Sequence, residues 1–460
     1  MTAAGDLTGA VVTTALAATT KELPSAAVHS VKLAMLDLLA CCVAGSEDQA
    51  ARVTAAFASE TGTGDCVIVG TPLRASPPLA ALANGTAAHA LDFDDVSMRM
   101  IHPSATLVPA LLAVGEARRI TGRELLDAYV AGFEVEARLC KVLNPEHYER
   151  GWHTTGTIGP LGAALAACRA LGVDGERARH ALGIAASSAS SIRRNFGSMV
   201  KPLHAGQAAQ HGLQAALLAE QGFTASRSVL EGAYGFLDVF SSLERVSELL
   251  DAFAPDAPYE VATSGIALKR FACCGVIHSA QDALLDLVQA NGLTADDVVG
   301  IDCRVNPLAA RVLVHHITQD GLEGKFSMEY SLAVCLVDGR AGLAQYSATR
   351  AADPALVPVM ERVTVVVDDS IPVNLAYFPS VVTLHLVDGR HVTARVDIPK
   401  GYPERALSDD EVFAKVRECC ALVLDPARTD QLIETVVAIE DVADVSALAT
   451  LLAGEVARGS

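Results

Sequence analysis

The residue pattern changes twice along the chain, and this change limits the folds that the chain can adopt. From the N-terminus to about residue 262 the sequence is rich in Ala, Leu and Gly, and apolar residues recur at intervals of three and four. That spacing is typical of packed helices. Between about residues 295 and 400, β-branched residues alternate in RVTVVVDD and SVVTLHLVDGRHVTARVDI, which indicates strands. After Tyr402 the helical spacing returns.

These shifts predict a mainly α protein, in which a large all-helical domain carries an inserted smaller α+β lid domain. The helical domain would comprise residues 1–264 and 403–460, and the lid residues 265–402. A chain of 460 residues exceeds what one hydrophobic core usually supports. Within the lid, Asp388 and Gly389 predict a two-residue hairpin turn. Because ligand sites favour domain interfaces, we expect the active site in the cleft beside the lid.

Charge and cysteine content exclude several classes of function. The formal net charge of -19 repels phosphate backbones, so we expect no nucleic-acid partner. The N-terminus lacks a basic leader, and the longest uncharged stretch, residues 151–168, contains His, Pro and Thr, so we expect neither a secretory signal nor a membrane partner. Three adjacent cysteine pairs make a poor disulfide framework, and a reducing, cytoplasmic location fits better. The pairs are Cys41/Cys42, Cys273/Cys274 and Cys419/Cys420.

Four segments place a cationic or protonatable side chain just before a predicted helix or in its first turn. Helix N-termini present unpaired N–H groups and a positive dipole end, so the four segments together could bind carboxylates. Each segment alone could equally be an ordinary cap or a buried histidine. The segments are HPS with His102, WHTTG with His153, KPLHAG with Lys201 and His204, and KRFACCGVIH with Lys269, Cys274 and His278.

The segment NGTAAHALDFDD leaves three interpretations open. His89 and Asp92 have helical i, i+3 spacing and could ligate a metal, although the DDxxD-type cluster of magnesium-binding prenyl synthases is missing. Asp92 could instead be a catalytic base or orient a neighbouring histidine. The acids could also form a solvated helix end. Two other features each have a functional and a structural interpretation. Cys274 and His278, at i, i+4 spacing, could form a nucleophile and its base or could simply pack. Tyr330, at a helix start, could offer its hydroxyl to the reaction or could simply pack.

Seven motifs, taken in order, resemble the successive signatures of the MmgE/PrpD family over about residues 5–455: HALDFDD, HPS, GWHTTGTIGPLGAALAACRALG, KPLHAGQAAQHG, LEGAYGF, KRFACCGVIHSAQDAL and KFSMEYSLAVCLVDG. The resemblance implies a helical domain with an α+β lid, a homodimer, and catalysis without a metal or an organic cofactor. Known activities of the family are 2-methylcitrate dehydration, cis-aconitate decarboxylation to itaconate, and iminodisuccinate epimerisation. Each exchanges a proton at carbon near a carboxylate.

The resemblance also implies the roles of individual residues. It implies that Cys274 stands where the decarboxylase branch has a functional histidine, and the CCG-x-x-H form is closer to the epimerase branch. Catalytic roles are implied for Asp92, His102, His153, Lys201 and Tyr330, and substrate contacts for His204, Lys269, Cys274 and His278.

We therefore expect a cofactor-independent enzyme that abstracts and returns a proton next to a carboxylate of a small di- or tricarboxylate. A lyase resembling 2-methylcitrate dehydratase or aconitate decarboxylase is the first interpretation. An epimerase of an amino-dicarboxylate such as iminodisuccinate, or a non-catalytic carboxylate-binding protein, are the alternatives. Lys201 and His102 would stabilise an enediolate-like intermediate. His153 would be the base, with Asp92 orienting it, and Tyr330 would donate the proton.

Overall fold

The computed structural model describes residues 5–97, 100–318, 320–373 and 377–454. Contacts within the chain divide it into two compact units. The first comprises Met1–Ala90, Asp94–Ile266 and Asp409–Ser460, and the second comprises Leu91–Phe93 and Ala267–Ser408. The prediction of a mainly helical protein with a smaller sheet-containing domain is confirmed. The sequence placed the boundaries after residues 264 and 402, and the contacts place them after residues 266 and 408.

The first unit consists mainly of α-helices, as the three-and-four spacing of its apolar residues predicted. A short antiparallel pair, β1 (Cys66–Val67) and β2 (Arg74–Ala75), lies between the third and fourth helices. The helices are α1 (Leu7–Ala17), α2 (Ser25–Gly45), α3 (Gln49–Thr61), α4 (Pro77–Ala90), α5 (Pro103–Arg118), α6 (Gly122–Leu143), α7 (Glu146–Glu149), α8 (Thr154–Thr157), α9 (Gly159–Leu171), α10 (Gly175–Ser187), α11 (Val200–Glu220), α12 (Phe236–Phe240), α13 (Val246–Ala252) and α14 (Glu260–Thr263).

Helix α2 is a core helix of the first unit. In the part of the chain that the structure describes, it is the one helix long and apolar enough to cross a membrane by length and composition, but 67% of that window is buried inside the protein. Its Asp37 carboxylate accepts a hydrogen bond from Lys415 at 2.7 Å, and both side chains are buried. Apolarity here therefore reflects packing between helices.

Helices α4 and α11 pack at backbone distance. A Cβ atom added to Gly85 would lie 2.8 Å from the Cα of Gly206, and one added to Gly206 would lie 2.3 Å from the carbonyl oxygen of Leu82. Residues other than glycine would force the helices apart at this point. His89 follows Gly85 by one helical turn, and Lys201 precedes Gly206 by just over one turn, so this crossing brings both side chains together.

The second unit contains a four-stranded sheet with the order β4-β3-β5-β6. Strand β3 is parallel to β4 and antiparallel to β5, and β5 is antiparallel to β6. Helices α15 and α18 pack on the sheet. The elements are α15 (His278–Asn291), β3 (Val298–Val305), α16 (Pro307–Val312), α17 (Gly321–Gly324), α18 (Met328–Asp338), α19 (Ala348–Ala351), α20 (Val357–Met360), β4 (Val363–Val367), β5 (Ser380–Leu386) and β6 (His391–Val396).

The predicted two-residue turn between β5 and β6 is wrong. The Leu386 N–H donates to the Arg390 carbonyl at 2.9 Å, so three residues, 387–389, form the turn. Gly389 alone of these has a positive φ, at 85°. The chain then returns to the first unit, as the helical spacing after Tyr402 predicted. The returning helices are α21 (Asp409–Cys420), α22 (Pro426–Val437) and α23 (Ser446–Leu452).

Candidate active site

Four histidines of the first unit lie close together, and we call them the histidine cluster. The ring centroids of His89 and His102 are 4.3 Å apart, those of His89 and His153 are 6.1 Å apart, and those of His153 and His204 are 5.2 Å apart. His89 is near the end of α4, and His204 lies in α11. His102 and His153 directly precede α5 and α8. Three of the four segments singled out from the sequence therefore converge here.

A buried chain of hydrogen bonds runs from Asp94 through His89 to Lys201. The Nδ1 atom of His89 lies 2.9 Å from the Asp94 carboxylate, and its Nε2 atom lies 3.0 Å from the Lys201 ammonium nitrogen. An ammonium group can only donate, so Nε2 accepts and the proton of a neutral His89 ring is on Nδ1, where it is donated to Asp94. The chain thus fixes both the tautomer of His89 and the position of Lys201.

The pKa values of Asp94 and His89 keep this chain in one charge state. Burial disfavours the charged form of Asp94, but His89 and His102 beside it outweigh burial and hold the pKa of the carboxyl well below its ordinary value. Burial lowers the pKa of His89 to about 3, against the opposing effect of Asp94 and with the help of Lys201. Near neutral pH, Asp94 is therefore ionised and His89 is neutral.

His102 is held by the same carboxylate. Its Nδ1 atom lies 2.9 Å from the Asp95 carbonyl oxygen and 3.1 Å from the Asp94 carboxylate. Both of these atoms are acceptors, so Nδ1 carries a proton, and in a neutral ring the lone pair is on Nε2. The side chain of His102 is 13% exposed, whereas His89 and Asp94 are fully buried.

Asp95 is a second buried carboxyl group next to Asp94. Its carboxylate accepts a hydrogen bond from Ser104 at 2.9 Å, and the same hydroxyl lies 2.7 Å from the hydroxyl of Tyr129. Burial and the adjacent charge of Asp94 raise the pKa of Asp95 well above its ordinary value. A negative charge is therefore favoured more strongly on Asp94, which has the two imidazole donors, than on Asp95.

His153 and His204 form a pair through their Nδ1 atoms, which are 3.0 Å apart. One Nδ1 must donate and the other accept, so the pair holds a single proton between these atoms. Burial lowers the pKa of His153 well below its ordinary value, and burial with the charge of Lys201 lowers that of His204 to about 4. Phe196 contacts His153 edge-on, with centroids 4.9 Å apart. The cluster therefore combines a buried ammonium group with neutral imidazoles that can accept protons.

Asp92 is placed differently from the sequence prediction. Helix α4 ends at Ala90 and Asp92 has a positive φ of 52°, so the predicted helical i, i+3 pairing of His89 with Asp92 is wrong. Asp92 belongs to the second unit, where its carboxylate and its carbonyl oxygen accept hydrogen bonds from Lys269 at 2.9 and 2.8 Å. Lys325 donates to the carbonyl of Leu91 in the same segment. Two buried lysines thus hold the 91–93 segment.

The predicted pairing of Cys274 with His278 on one helical face is also wrong. Helix α15 begins at His278, so Cys274 precedes the helix. His278 is buried, with its Nε2 atom 3.3 Å from the Cys273 carbonyl oxygen and its ring against Phe271. Cys274 is the one cysteine that is not buried among the eleven, all of which lie in the described ranges, and none of them forms a disulfide bond.

Tyr330 lies in the first turn of α18, as predicted, and is buried in the second unit. Its hydroxyl donates a hydrogen bond to the carbonyl of Gln345, and its ring contacts Tyr346 with centroids 5.7 Å apart. Burial raises the pKa of this phenol above its ordinary value. The structure thus gives the hydroxyl a structural partner, and its role as a proton donor stays a prediction.

Family models match the chain over most of its length. The MmgE/PrpD N-terminal domain matches residues 10–249, and the MmgE/PrpD C-terminal domain matches residues 271–441. The chain belongs to the MmgE/PrpD family. The prediction that it is an MmgE/PrpD-type enzyme, a lyase or an epimerase, is confirmed, and the names of its relatives support a lyase.

Relatives of this MmgE/PrpD enzyme are named as cis-aconitate decarboxylases or as like one. Cis-aconitate decarboxylase from Homo sapiens is 30% identical over 402 residues, covering 83% of this chain and 80% of the human protein. The cis-aconitate decarboxylase-like protein oryM from Aspergillus oryzae is 28% identical, covering 94% of each chain. Cis-aconitate decarboxylase from Aspergillus terreus is 26% identical, covering 94% of this chain and 93% of its own.

A metal ion fits the histidine cluster poorly. His89, Asp94 and His102 offer ligand atoms that lie within 4.8 Å of one another. Binding through Nδ1 of His89 would move the remaining ring proton to Nε2, which would then face the Lys201 ammonium with donor against donor. The ammonium group of Lys201 thus opposes a metal at this MmgE/PrpD site. It also opposes metal binding by His89, which was one of the three interpretations that the sequence left open for His89 and Asp92.

The sequence missed the roles of His89, Asp94 and Ser104. All three lie in the motifs HALDFDD and HPS, but the sequence alone does not show which of the three aspartates of DFDD contacts the histidines. The end of α4 at Ala90 decides between them, because it leaves Asp94 free to return to the rings of His89 and His102. A helix stop placed at Ala90 would have been the signal, since it separates Asp92 from the helical face of His89.

Proposed function

We propose that this MmgE/PrpD lyase acts on a small tricarboxylate of the cis-aconitate type and releases one carboxylate as CO₂, without a metal or an organic cofactor. Two observations support the proposal. The relatives described above are named as cis-aconitate decarboxylases or as like one. The first unit also assembles one buried ammonium group and four imidazoles, which is a suitable set for a polyanion that must gain a proton at carbon.

The Asp94–His89–Lys201 chain is the observation that carries the proposal. Its contact with His89 holds the Lys201 ammonium group in place, and a substrate carboxylate would be attracted to this positive charge. Because the surroundings are buried, the positive charge of Lys201 acts on a bound anion more strongly than it would in water. Lys201 would then stabilise the charge that develops when the carbon–carbon bond breaks.

His153 is the proposed proton carrier. Its Nδ1 atom is engaged by His204, which leaves Nε2 as the nitrogen that exchanges a proton with the substrate. Without substrate, burial keeps His153 neutral. A bound polyanion would favour the imidazolium form, since an opposite charge nearby raises the pKa of a histidine. Binding of the substrate would thus protonate His153, and His153 would later transfer this proton to the substrate.

The proposed reaction balances with one proton. The bond between the carbon skeleton and the departing carboxylate breaks, its electron pair moves into the conjugated system of the remaining carboxylates, and CO₂ leaves. The resulting carbanion takes a proton from the His153 imidazolium and becomes the product. Solvent then returns that proton to the enzyme in the next cycle. His102, with its lone pair on Nε2, and Tyr330 remain alternative proton carriers in this proposal.

Residues of the second unit complete the proposed site assignment. We propose substrate contacts for Lys269, Cys274 and His278, and a role for Asp92 through its ion pair with Lys269. We also keep the homodimer and the cytoplasmic location as proposals. Light scattering coupled to size-exclusion chromatography would measure the mass of the particle, and a mass of one chain would contradict the dimer.

A second candidate function is the epimerisation of an amino-dicarboxylate, and Cys274 is the observation that favours it. Its thiol is half-buried, whereas the other ten cysteines are buried. An epimerase needs two proton-exchanging groups on opposite sides of one carbon, and a thiol that is not fully buried could serve as one of them. The two candidates differ in whether a carbon–carbon bond breaks.

One experiment separates these candidates. The enzyme is incubated in deuterated water with cis-aconitate, citrate, 2-methylcitrate and iminodisuccinate, and the products are followed by NMR. We expect itaconate carrying one deuterium at carbon, formed from cis-aconitate alone and in the presence of excess EDTA. Deuterium in the amino-dicarboxylate without loss of carbon would instead indicate an epimerase. The His29→Gln variant, with its exposed histidine outside the cluster, is the matched active control.

Absence of any exchange or turnover with all four acids would contradict an enzyme of this class and favour a carboxylate-binding protein. Activity that EDTA removes and a divalent ion restores would contradict cofactor independence while leaving the reaction itself assigned. These results are distinguishable because the first concerns the products and the second concerns only the rate.

A further inference from the structure

A second group of histidine and aspartate side chains lies on the exposed face of the sheet in the second unit. His385 of β5 and His391 of β6 are directly opposite each other in the antiparallel register. Asp302 of the neighbouring strand β3 reaches the same ring of His385 from the other side. Three adjacent strands thus each contribute one side chain of a type that can bind a metal ion. The proposed reaction uses none of these three side chains.

The hydrogen bonds in this group fix where the lone pairs point. The Nε2 atom of His385 lies 2.8 Å from the Asp302 carboxylate, which can only accept, so Nε2 carries the proton. In a neutral ring the lone pair of His385 is then on Nδ1, and this atom lies 2.8 Å from Nδ1 of His391. The carboxylate therefore turns the unprotonated nitrogen of one imidazole toward a second imidazole.

We propose that His385 and His391 bind a late first-row divalent cation, such as Zn²⁺ or Cu²⁺, through their Nδ1 atoms. Imidazole nitrogen is a preferred ligand of these ions. In such sites a carboxylate commonly accepts the other N–H of a ligating histidine, because this contact fixes the tautomer and raises the basicity of the ligand. Asp302 makes this contact with Nε2 of His385. Water would complete the coordination.

The distance between the two nitrogens is compatible with this proposal. Bonds of about 2.1 Å to a tetrahedral ion place two nitrogen ligands roughly 3.4 Å apart. The observed 2.8 Å is a hydrogen-bond distance, so the rings need to separate by only a few tenths of an ångström. The proton between them would move to Nε2 of His391 as the ion binds. His391 is exposed and the side chain of His385 is 32% exposed, so both rings have room for this shift.

The neighbouring charges do not oppose a cation. Arg304 and Arg395 follow on the same face of β3 and β6, where both are next to Val381 in the register. Arg304 is paired with Asp368 and Arg395 with Asp397. The row between these arginines and the histidines contains Asp302 and the uncharged Thr383/Thr393 pair, whose hydroxyls are 2.9 Å apart. A bound ion would tie β6, the edge strand, to β5.

The test is a calorimetric titration of the metal-free full-length enzyme with ZnCl₂ in a non-coordinating buffer. We expect one Zn²⁺ equivalent whose affinity falls at least about tenfold in His385→Gln and in His391→Gln, and by about tenfold in Asp302→Asn. The matched control is His29→Gln, since His29 pairs with Asp409 at 2.8 Å and has similar exposure but no second imidazole. It should bind Zn²⁺ as the unchanged enzyme does. MgCl₂ should give no binding, because Mg²⁺ prefers oxygen ligands.

Two results would overturn the proposal: no Zn²⁺ binding to the unchanged enzyme, or binding that both histidine variants retain in full. The second result would point to another site, and the His89→Gln variant would then locate it in the histidine cluster. Thermal unfolding adds an independent measurement. Zn²⁺ should raise the unfolding midpoint of the unchanged enzyme and of His29→Gln, but not that of His391→Gln, whose midpoint without metal also reports whether the variant is folded.

Discussion

The protein contains two aspartate–histidine groups that use the same side chains in opposite surroundings. Asp94 and His89 are completely buried, whereas the side chains of Asp302 and His385 are 44% and 32% exposed. In the buried group, burial lowers the pKa of His89 to about 3, and the charges of Asp94 and Lys201 act through little solvent. In the exposed group, water solvates each partner. The two groups contain the same residue types and differ in burial. Burial therefore decides that Asp94 and His89 suit acid–base chemistry, whereas Asp302 and His385 suit the binding of a metal ion.

The largest difference is expected in activity when the cation of the buried group is removed. Lys201→Met should lower kcat/KM by about 10² to 10³-fold, since a buried donor aimed at developing charge typically contributes this much. Lys32→Met is the matched control, because Lys32 is a partly buried lysine outside the histidine cluster that forms an ion pair with Glu440 at 2.5 Å. The measurement is the steady-state rate of product formation. A fully active Lys201→Met enzyme would remove Lys201 from the mechanism.

The next difference is expected in stability. Asp94→Asn removes the buried negative charge that accepts hydrogen bonds from His89 and lies across that ring from the Lys201 ammonium group, and it should reduce the free energy of unfolding by about 3 kcal/mol. Asp302→Asn removes a charge that water already solvates and should cost less than about 1 kcal/mol. Urea unfolding followed by circular dichroism at pH 7 measures both variants. Equal losses in the two variants would show that burial does not distinguish the groups.

The third difference is expected in the response to pH. The folded-state pKa of His89 is about 3, below the ordinary value of about 6.5, so the unfolded chain binds a proton that the folded chain does not between these values. The stability from this group is therefore complete above about pH 6.5 and is lost as pH falls toward 3, with a slope of about 1.4 kcal/mol per pH unit. His204, with a pKa of about 4, has the same sign.

His89→Gln should remove one such slope between pH 6.5 and 4, and His29→Gln, with its exposed imidazole, should keep the full pH dependence. Fluorescence of Trp152, the single tryptophan, reports urea unfolding of the first unit at each pH. An unchanged slope in His89→Gln would mean that the ring is protonated in the folded protein, which would contradict the charge state assigned to the Asp94–His89–Lys201 chain.

Periodicity was sufficient to predict the elements of the fold. The alternation in RVTVVVDD and SVVTLHL corresponds to β4 and β5, and the three-and-four spacing after Tyr402 corresponds to α21. These signals are local, because one face of each element must be apolar wherever the element packs. The turn between β5 and β6 was not predictable in the same way. The Asp388-Gly389 pair permits a positive φ at two positions, and the strand register determines that only Gly389 uses it.

The candidate site was predictable in part for a similar reason. His102, His153, Lys201 and His204 could be selected because each lies at or near a helix start, and the structure brings these four together. Their partners could not be selected, because hydrogen bonds such as that from Lys201 to His89 join residues 112 positions apart. Asp92 and Asp94 are two residues apart, but Asp92 belongs to the second unit and contacts Lys269, whereas Asp94 belongs to the first unit and contacts His89. The roles of Asp92, Cys274 and Tyr330 in the reaction remain predictions.

The crossing of α4 and α11 at Gly85 and Gly206 limits how this enzyme can change during evolution. The two backbones already touch there, so even one added methyl group at either glycine would overlap the facing helix and force the two helices apart. Separation would carry His89 away from Lys201. New specificities in this chain should therefore arise from residues that project beyond the crossing, while the two glycines resist replacement.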